Sequence, residues 1–368
     1  MQEAGGPALF GILVEGLADR FEPALCDIYA RLFSKAVGSV MGLDPGMLVA
    51  RYERVRRARP IAGKPHRIFV LSRVTLGADV AVTSVLMAAA KRRFPHAEIV
   101  FVGPRKNYEL FAGDKRIHHV EAVYRRGGLR ERLAVAAELQ ATLTAEDAVV
   151  IDPDSRLTQL GLVPVFPEER YHLFESRSYG GDSDRALPEL AAAWAAETIG
   201  ASGAKPYISL GEQPRRAPYI AVSLGVGENP AKRLPDPFEE ELLKLLAAQG
   251  MPVCIDKGAG GEEAERVARA VERSGIQATL WEGTFAGFAA IIAGSRLYVG
   301  YDSAGQHVAA AREVPLVSVF AGFPVPRMFQ RWRPVGEHSR VIQVDEADAK
   351  GVLGVLEKVR EGIGGAGL

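Results

Sequence analysis

The chain has 368 residues, of which 48% are hydrophobic and 24% charged, and its 45 basic side chains balance 45 acidic ones. This length and composition predict two soluble globular domains, and the lack of a basic excess argues against nucleic acid as a partner. Two cysteines are too few for a disulfide framework, and the seven histidines show no zinc-binding spacing, so we expect a cytoplasmic protein without a metal site. We find neither a signal peptide nor a membrane-spanning run.

The first 62 residues differ from the rest and predict an N-terminal helical extension. Apolar residues recur at helical spacing between Phe21 and Phe33, and a second helix near Met47–Arg57 carries an arginine cluster that continues to Arg59. One interpretation is a helical cap on the next domain with a solvated basic face. The other is an arm that makes a peripheral contact with the anionic inner face of a membrane.

From Arg67 onward, short β-rich runs alternate with helices. Arg67–Ser72 has almost no polar residue in its middle, which is typical of a strand buried on both faces. The alternation stops at the Gly- and Pro-rich stretch Ala201–Pro218 and resumes with the strand Tyr219–Leu224. The pattern therefore predicts parallel sheets with helices on both sides, in two successive units.

The predicted fold is α/β, with two Rossmann-like doubly wound domains that face each other across a cleft. The first covers residues 63–205 and the second residues 206–368. The last helix, from about Ala347, either stays with the second domain or packs back on the first. Because open α/β sheets bind ligands beyond the carboxyl ends of their strands, we expect the site there.

Two loops of the second domain have the composition of anion sites. Gly225 and Gly227 follow a strand and precede Lys232, so the backbone turns tightly beside a positive charge. Asp302 and the residues after it lead into a helix, whose N-terminus suits a phosphate. The residues themselves leave two structural alternatives open, a solvated loop at Gly225 and a capping box formed by Ser303 and Gln306.

Charged residues also follow strands of the first domain. Asp79 opens a helix after the first strand, so it is either an ordinary N-cap or a group aimed at a ligand. Asp152, Asp154, Arg156, Glu175 and Arg177 follow two later strands. These side chains either bind a polar acceptor or pair with one another as structural salt bridges.

At these loops the chain resembles the ADP-heptose:lipopolysaccharide heptosyltransferase family, glycosyltransferase family 9, whose fold is called GT-B. The likeness covers about Arg67 to Val344. Its segments are Leu76-Gly77-Ala78-Asp79-Val80 with Thr83 and Lys91-Arg92-Arg93-Phe94-Pro95, then Gly225 to Pro235, Asp302 to Ala311, and the turn Ala321-Gly322. The segment Asp302 to Ala311 resembles the family pattern D-[ST]-G-x-x-H-x-x-A-A and is the most specific of them. The sequence departs from the family where Ala78 is inserted between Gly77 and Asp79, and where Ala304 replaces a glycine.

The resemblance implies a role for each matching residue. Asp79 would be the catalytic base, Lys232 would hold the donor pyrophosphate, and Glu262 would bind the donor ribose. Asp302, Ser303, Ala304 and His307 would line the diphosphate and sugar pocket, and Gly283 and Thr284 would meet the adenine. Asp152, Arg156 and Arg177 are the candidates for acceptor binding.

The resulting hypothesis is an inverting, metal-independent glycosyl transfer without a cofactor. The donor would be a nucleotide-diphosphate sugar such as ADP-heptose, and the acceptor a glycan or lipid-linked glycan of the lipopolysaccharide type. Asp79 would take the acceptor proton while Lys232 stabilises the departing diphosphate. A nucleotide-sugar 2-epimerase and a non-catalytic sugar-nucleotide-binding module remain alternatives. A nicotinamide oxidoreductase is disfavoured because no G-x-G-x-x-G follows the first strand.

Overall fold

The computed structural model describes residues 9–144, 146–211, 217–227, 229–258, 260–345 and 351–365. The chain divides into two compact units. The first consists of Met1–Ser209 with Gln330–Trp332, and the second of Leu210–Phe329 with Arg333–Leu368. The predicted start of the last helix near Ala347 lies outside the described residues.

The first unit is built on a five-stranded sheet in the order β3-β2-β1-β4-β5, with every pairing parallel. Its strands are β1 Arg67–Leu71, β2 Glu98–Gly103, β3 Ile117–Glu121, β4 Ala148–Asp152 and β5 Tyr171–Leu173. The central strands β1 and β4 are almost wholly apolar and buried, because helices cover both of their faces.

The described part of this unit contains six α-helices, besides a π-helix at Phe10–Glu15 and three short 3-10 turns. The α-helices are α1 Pro23–Met41, α2 Pro45–Val55, α3 (residues 76–93), α4 Arg105–Tyr108, α5 Leu129–Thr142 and α6 Leu187–Thr198. Helix α3 has three consecutive segments: Leu76–Ala78, a π-helical turn Asp79–Thr83, and Ser84–Arg93.

The start of α3 corrects the sequence interpretation of Asp79 as an N-cap. The helix begins at Leu76 after the extended Thr75, whose carbonyl accepts the Asp79 amide, so Asp79 lies one turn inside. A π-helical turn takes up one residue more than an α-helical turn. The turn therefore accommodates an extra residue at the place where Ala78 interrupts the family pattern.

The N-terminal helices share the hydrophobic core of the first unit. Tyr29, Phe33 and Tyr52 are buried in the same cluster as residues of β1, β4 and β5. The predicted solvated basic face is wrong for Arg51, which is 7% exposed and donates to the Gly161 carbonyl at 2.8 Å. Its guanidinium also stacks over the Tyr171 ring.

Three other arginines of that cluster also have protein partners, whereas Arg57 is exposed. Arg54 pairs with Glu168, Arg56 pairs with Asp27, and Arg59 donates to main-chain carbonyls beside β5. Most of the cluster therefore attaches the extension to the first unit, and the membrane contact stays a prediction. No helix of the described ranges is long and apolar enough to cross a bilayer.

The second unit contains a six-stranded sheet in the order β11-β10-β9-β6-β7-β8, again parallel throughout. Its strands are β6 Ile220–Ser223, β7 Val253–Asp256, β8 Thr279–Trp281, β9 Leu297–Tyr301, β10 Leu316–Phe320 and β11 Ser339–Gln343. Its helices are α7 Phe238–Ala247, α8 Gly261–Ser274, α9 Phe285–Gly294, α10 Ala304–Ala311, α11 Pro326–Trp332 and α12 Val352–Gly365. The last helix, α12, packs on α7, β10 and β11.

Candidate functional site

The lysine of the second unit lies on a short helical turn after β6. A 3-10 turn spans Pro230–Lys232, and the Asn229 side chain caps it by accepting the Ala231 amide at 3.0 Å. The Asn229 side-chain amide also donates to the Gly322 carbonyl at 3.3 Å, which ties the turn to the loop after β10. Gly322 has a positive φ of 67°, and a Cβ there would lie 2.6 Å from the main-chain nitrogen of Lys232. The lysine turn therefore packs directly on the glycine loop.

Lys232 and Asp302 form an ion pair at the carboxyl edge of this sheet. The Lys232 ammonium donates to Asp302 Oδ2 at 2.5 Å and to the Asp302 carbonyl at 3.3 Å. The other carboxylate oxygen of Asp302 accepts from Gln306, whose own oxygen accepts from Ser318 at 2.6 Å. Because a lysine has three N–H donors, one remains for a further acceptor.

The start of α10 differs from the predicted capping box. Ser303 precedes the helix but makes no side-chain cap bond with the described amides, and its Oγ lies 3.4 Å from the Tyr298 hydroxyl. Gln306 binds Asp302 instead of reaching back to the main chain. The glycine that this helix start requires is Gly305, because a Cβ there would overlap the Tyr298 hydroxyl. Ala304, the departure from the family pattern, is half-buried at the same turn.

His307 lies on the same helix and is 5% exposed. Burial lowers its pKa to about 4, against the smaller opposing effect of the Asp302 carboxylate. The imidazole is therefore neutral at pH 7, and it lies 3.5 Å from the Gln306 side chain. A neutral ring can donate or accept a hydrogen bond, but it adds no positive charge for a phosphate.

A glutamate lies between the two glycine loops that follow β6 and β7, but it is Glu263. The expected ribose ligand, Glu262, is exposed. A Cβ on Gly225 would lie 2.7 Å from Glu263 Oε1, and one on Gly258 would overlap the same oxygen. Burial raises the pKa of Glu263, although Arg266 acts against the rise. Gly227 has a φ of 62° and is exposed, while its neighbour Glu228 lies outside the described residues.

Gly283 and Thr284 lie beside an indole ring. Thr284 caps α9 by accepting the Gly287 amide at 3.2 Å, and its carbonyl accepts from Trp281 Nε1 at 3.4 Å. A Cβ on Gly283 would lie 2.7 Å from the Trp281 ring. Gly283 and Thr284 are exposed and Trp281 is half-buried, so a flat aromatic surface borders this loop.

In the first unit, Asp79 is fully buried and fully hydrogen-bonded. Its Oδ1 accepts from the Arg73 amide at 2.7 Å and from the Thr83 hydroxyl at 2.6 Å. Its Oδ2 accepts from the Ser72 hydroxyl and from the Asn107 side chain, both at 2.6 Å. Burial raises the pKa of Asp79, and these four donors oppose the rise. The carboxylate thus holds the turn between β1 and α3.

That turn directs Arg73 along the carboxyl edge of the first sheet. The Arg73 guanidinium is 4% exposed, and it donates to the Pro153 carbonyl at 2.8 Å and to Ser176 Oγ at 2.6 Å. It also lies over the Trp332 ring, 5.6 Å from its centre. Burial lowers the pKa of Arg73 to about 10. The arginine remains charged at pH 7.

Asp152, the first acceptor-binding candidate, has no exposed surface. Its carboxylate accepts from the Ser155 amide at 2.6 Å and from the hydroxyls of Thr158 and Tyr171. Burial raises its pKa to about 6. These bonds hold the loop after β4, which is a structural role.

The two arginines predicted to bind the acceptor are joined by a carboxylate from the N-terminal extension. Asp19 Oδ1 accepts from Arg177 Nε at 2.8 Å and lies 2.7 Å from Arg177 Nη2, and Asp19 Oδ2 accepts from Arg156 at 3.3 Å. Arg177 also donates to Asp154, whose backbone is left-handed with a φ of 68°. Asp154 and the neighbouring Glu175 each keep one buried side-chain oxygen without a hydrogen-bond partner among the described residues.

Sequence reasoning missed several of these groups, which come from distant parts of the chain. Asp19 and Asn107 had no motif to mark them, and Trp281 resembles an ordinary strand residue. Gln306 was taken for a capping residue because its spacing from Ser303 fits one. Glu263 adjoins the predicted Glu262, so only the helical phase separates the two.

Known proteins agree with this architecture. The sequence model of glycosyltransferase family 9 (heptosyltransferase) matches residues 169–353, which is half of the chain. Escherichia coli heptosyltransferase WaaC with ADP has a TM-score of 0.61 at 20% identity, over 80% of this chain and 99% of that chain. The same enzyme with ADP-2-deoxy-2-fluoro heptose has a TM-score of 0.60 at 19% identity, over 80% of this chain and 99% of that chain. E. coli ADP-heptose lps heptosyltransferase II has a TM-score of 0.58 at 19% identity, over 82% of this chain and 98% of that chain.

No curated protein matches the sequence. The solved structures therefore establish the fold, with two parallel-sheet units and an added helical N-terminal segment as the sequence predicted. The matched range contains the whole Lys232–Asp302 site and ends close to the last helix. By this match the chain belongs to glycosyltransferase family 9, and it is a glycosyltransferase with the GT-B fold.

Proposed function

We propose that this glycosyltransferase moves a heptose from ADP-heptose to a glycan acceptor of the lipopolysaccharide type. The observation that carries the donor assignment is the pairing of Lys232 and Asp302 beside the uncapped start of α10. A cation and a helix N-terminus together suit a diphosphate. Support for the ADP group comes from the similar E. coli enzyme, whose structures contain ADP and a fluorinated ADP-heptose.

Lys232 would stabilise the departing diphosphate. Its ammonium is 23% exposed and uses two donors on Asp302, so the third is available to a phosphate oxygen. Asp302 fixes the ammonium position before the donor arrives, which is the preorganisation that charge stabilisation requires. The remaining ligands would be main-chain amides at Ser303 and Ala304, where the helix begins.

The nucleoside would lie toward β7 and β8. Trp281 offers a flat apolar surface beside Gly283 and Thr284, which suits an adenine ring. Glu263 lies where the two glycine loops meet, and a carboxylate there would accept bonds from ribose hydroxyls. We therefore propose Glu263 in the ribose role that the family pattern gave to Glu262.

The acceptor would bind at the carboxyl edge of the first sheet, by the general rule for open α/β sheets. Asp79 is the proposed general base on the family pattern alone, since residues before 169 lie outside the family match. Its four hydrogen bonds supply a competing explanation, in which Asp79 positions the Arg73 turn. To accept a proton, Asp79 would first have to exchange one of those donors for the acceptor hydroxyl.

The donor assignment is tested by Lys232→Met, titrated with ADP and with adenosine by calorimetry. Losing a charge-assisted bond should weaken ADP binding by ~1.5–3 kcal/mol, or about ten- to a hundredfold, and leave adenosine binding unchanged. Lys244→Met is the control, because Lys244 is a lysine of the same unit that pairs with Glu241 on α7, outside the proposed donor site. Wild-type ADP affinity in Lys232→Met would refute the assignment.

One side effect of this substitution needs its own variant. Without Lys232, the Asp302 carboxylate loses its cation and would repel the phosphates. The double variant Lys232→Met/Asp302→Asn removes that repulsion. If the double variant regains most of the ADP affinity, the loss came from Asp302; if it stays weak, the loss came from the missing ammonium.

A further inference from the structure

The N-terminal extension places one carboxylate among arginines that belong to the sheet edge. Arg156 follows β4 and Arg177 follows β5, so both lie where open α/β sheets bind their ligands. Asp19 reaches them from more than 130 residues away in sequence. One of its oxygens accepts from Arg177 Nε and the other from Arg156, so the Asp19 carboxylate lies where the anionic group of a ligand would meet both guanidinium groups.

Asp19 is held in this position by its neighbours. Ala18 and Phe21 are each 1% exposed, and Phe21 has a left-handed backbone with a φ of 60°. The rings of Phe21 and Trp332 pack edge to face, with their centres 6.3 Å apart. Because the flanking residues are buried, Asp19 is a fixed part of the edge.

The charges around Asp19 favour an anion. Arg73, Arg156 and Arg177 face the carboxylates Asp19 and Asp154, and two further carboxyl groups act on this cluster, Asp79 on Arg73 and Glu175 on Arg177. Burial raises the pKa of Glu175, and the Asp154 charge adds to the rise, so Glu175 favours its neutral form. Removing Asp19 would leave Arg156 without this partner and would take one of two carboxylate partners from Arg177.

We infer that Arg156 and Arg177 form an anion subsite at the acceptor edge, and that Asp19 fills it and thereby excludes acceptors with an anionic group there. This inference rests on the proposed function, in which the first unit receives the acceptor. Asp19 is then a specificity-determining residue supplied by the extension. A purely structural salt bridge would give the same contacts, but it would not respond to added anions.

The test is Asp19→Asn, compared with the wild type and with Glu22→Gln. Glu22 is the matched control, since it lies in the same segment and pairs with Arg20 at the surface. Each protein is titrated with glucose 6-phosphate, glucuronate and glucose at constant ionic strength, and its melting temperature is followed. The three sugars distinguish a phosphate from a carboxylate and both from a neutral ligand.

We expect Asp19→Asn to bind one of the two anionic sugars at least tenfold more tightly than the wild type and Glu22→Gln do. At about ten times its Kd, that sugar should raise the melting temperature by about 3–5 °C, whereas glucose should not. The double variant Asp19→Asn/Arg156→Gln should lose the gain. A response that persists in the double variant would place the anion elsewhere and overturn the inference.

The other outcomes are also decisive. Equal responses in the wild type and Asp19→Asn would show that Asp19 excludes nothing. If Asp19→Asn folds only when phosphate is added, the anion replaces the carboxylate and the inference stands; if it folds under neither condition, the arginines do not accept an external anion and it fails. Failure of the donor assignment is seen separately, in the ADP titration of Lys232→Met.

Discussion

The substitution Asp79→Asn separates a general base from a positioning carboxylate. It replaces one of two oxygens that each accept two hydrogen bonds in a fully buried place. The new amide nitrogen would face either the Arg73 N–H or the Asn107 side-chain N–H, and neither donor can accept. Asn107 can turn its unpaired oxygen toward the new amide, but its own nitrogen then loses its partner.

The expected cost follows from those contacts. One buried donor is left unsatisfied, which costs about 1–3 kcal/mol, and the other bonds lose the strengthening that a charged acceptor gives. We therefore expect Asp79→Asn to lower the free energy of unfolding by about 2–4 kcal/mol. An N-cap would predict almost no change, because asparagine caps helices as well as aspartate does.

Two measurements are needed, and both use Asp147→Asn as the control because Asp147 is an exposed carboxylate of the same unit. Urea unfolding gives the free energy, and sugar transfer from ADP-heptose gives the rate per folded molecule. If Asp79 is the base, the rate should fall by about 10²–10⁴-fold while ADP affinity stays unchanged. If it only positions the Arg73 turn, the folded variant should keep a larger share of its rate. Stability equal to that of Asp147→Asn would refute the reasoning from the buried network.

Two further predictions follow from single contacts. Gly322→Ala and Gly250→Ala each place alanine at a positive φ, at a cost of about 1–2 kcal/mol, but only at Gly322 would the Cβ meet the backbone of Ala231 and Lys232. Gly322→Ala should therefore lose about 1–3 kcal/mol more in urea unfolding and should also bind ADP more weakly; equal behaviour of the two variants would contradict this. Burial lowers the pKa of His172 from 6.5 to about 4, so its contribution to stability is complete above pH 6.5 and is lost as the pH falls toward 4, by about 1.4 kcal/mol per pH unit. Urea unfolding across this range should show a shallower loss for His172→Gln than for the wild type, and parallel curves would show that His172 does not bury a neutral ring.

The fold could be predicted because each strand carries its own evidence. Runs such as Ala148–Asp152 and Leu316–Phe320 each contain a single polar residue, and this composition is typical of a strand covered on both faces. The predicted start of the helix at Asp79 was wrong, because it was inferred from local sequence alone. A capping residue is recognised from its neighbours along the chain, whereas the partners Ser72 (after β1) and Asn107 (on α4) meet Asp79 through tertiary packing.

The candidate site was predicted only where its residues belong to a local sequence pattern. Lys232 and Asp302 were found through local loop patterns, and the structure brings them together. The arginines of the extension were expected in solvent, because an arginine stripe on a helix is usually exposed. Arg51 instead meets the Gly161 carbonyl 110 residues away, and a contact at that separation leaves no pattern in the sequence.

The family match begins within the first unit and continues through the donor loops of the second. It starts at residue 169, while about a fifth of the chain has no counterpart in WaaC. The residues before 169 contain the extension, Asp79 and Arg156, and there Asp19 enters the edge where the acceptor is proposed to bind. Its partner Arg177 lies just inside the matched range, so Asp19 brings the extension to a sheet edge that the family match includes in part. The extension is therefore the part of this chain in which acceptor choice should be sought, with Asp19 as the first residue to change.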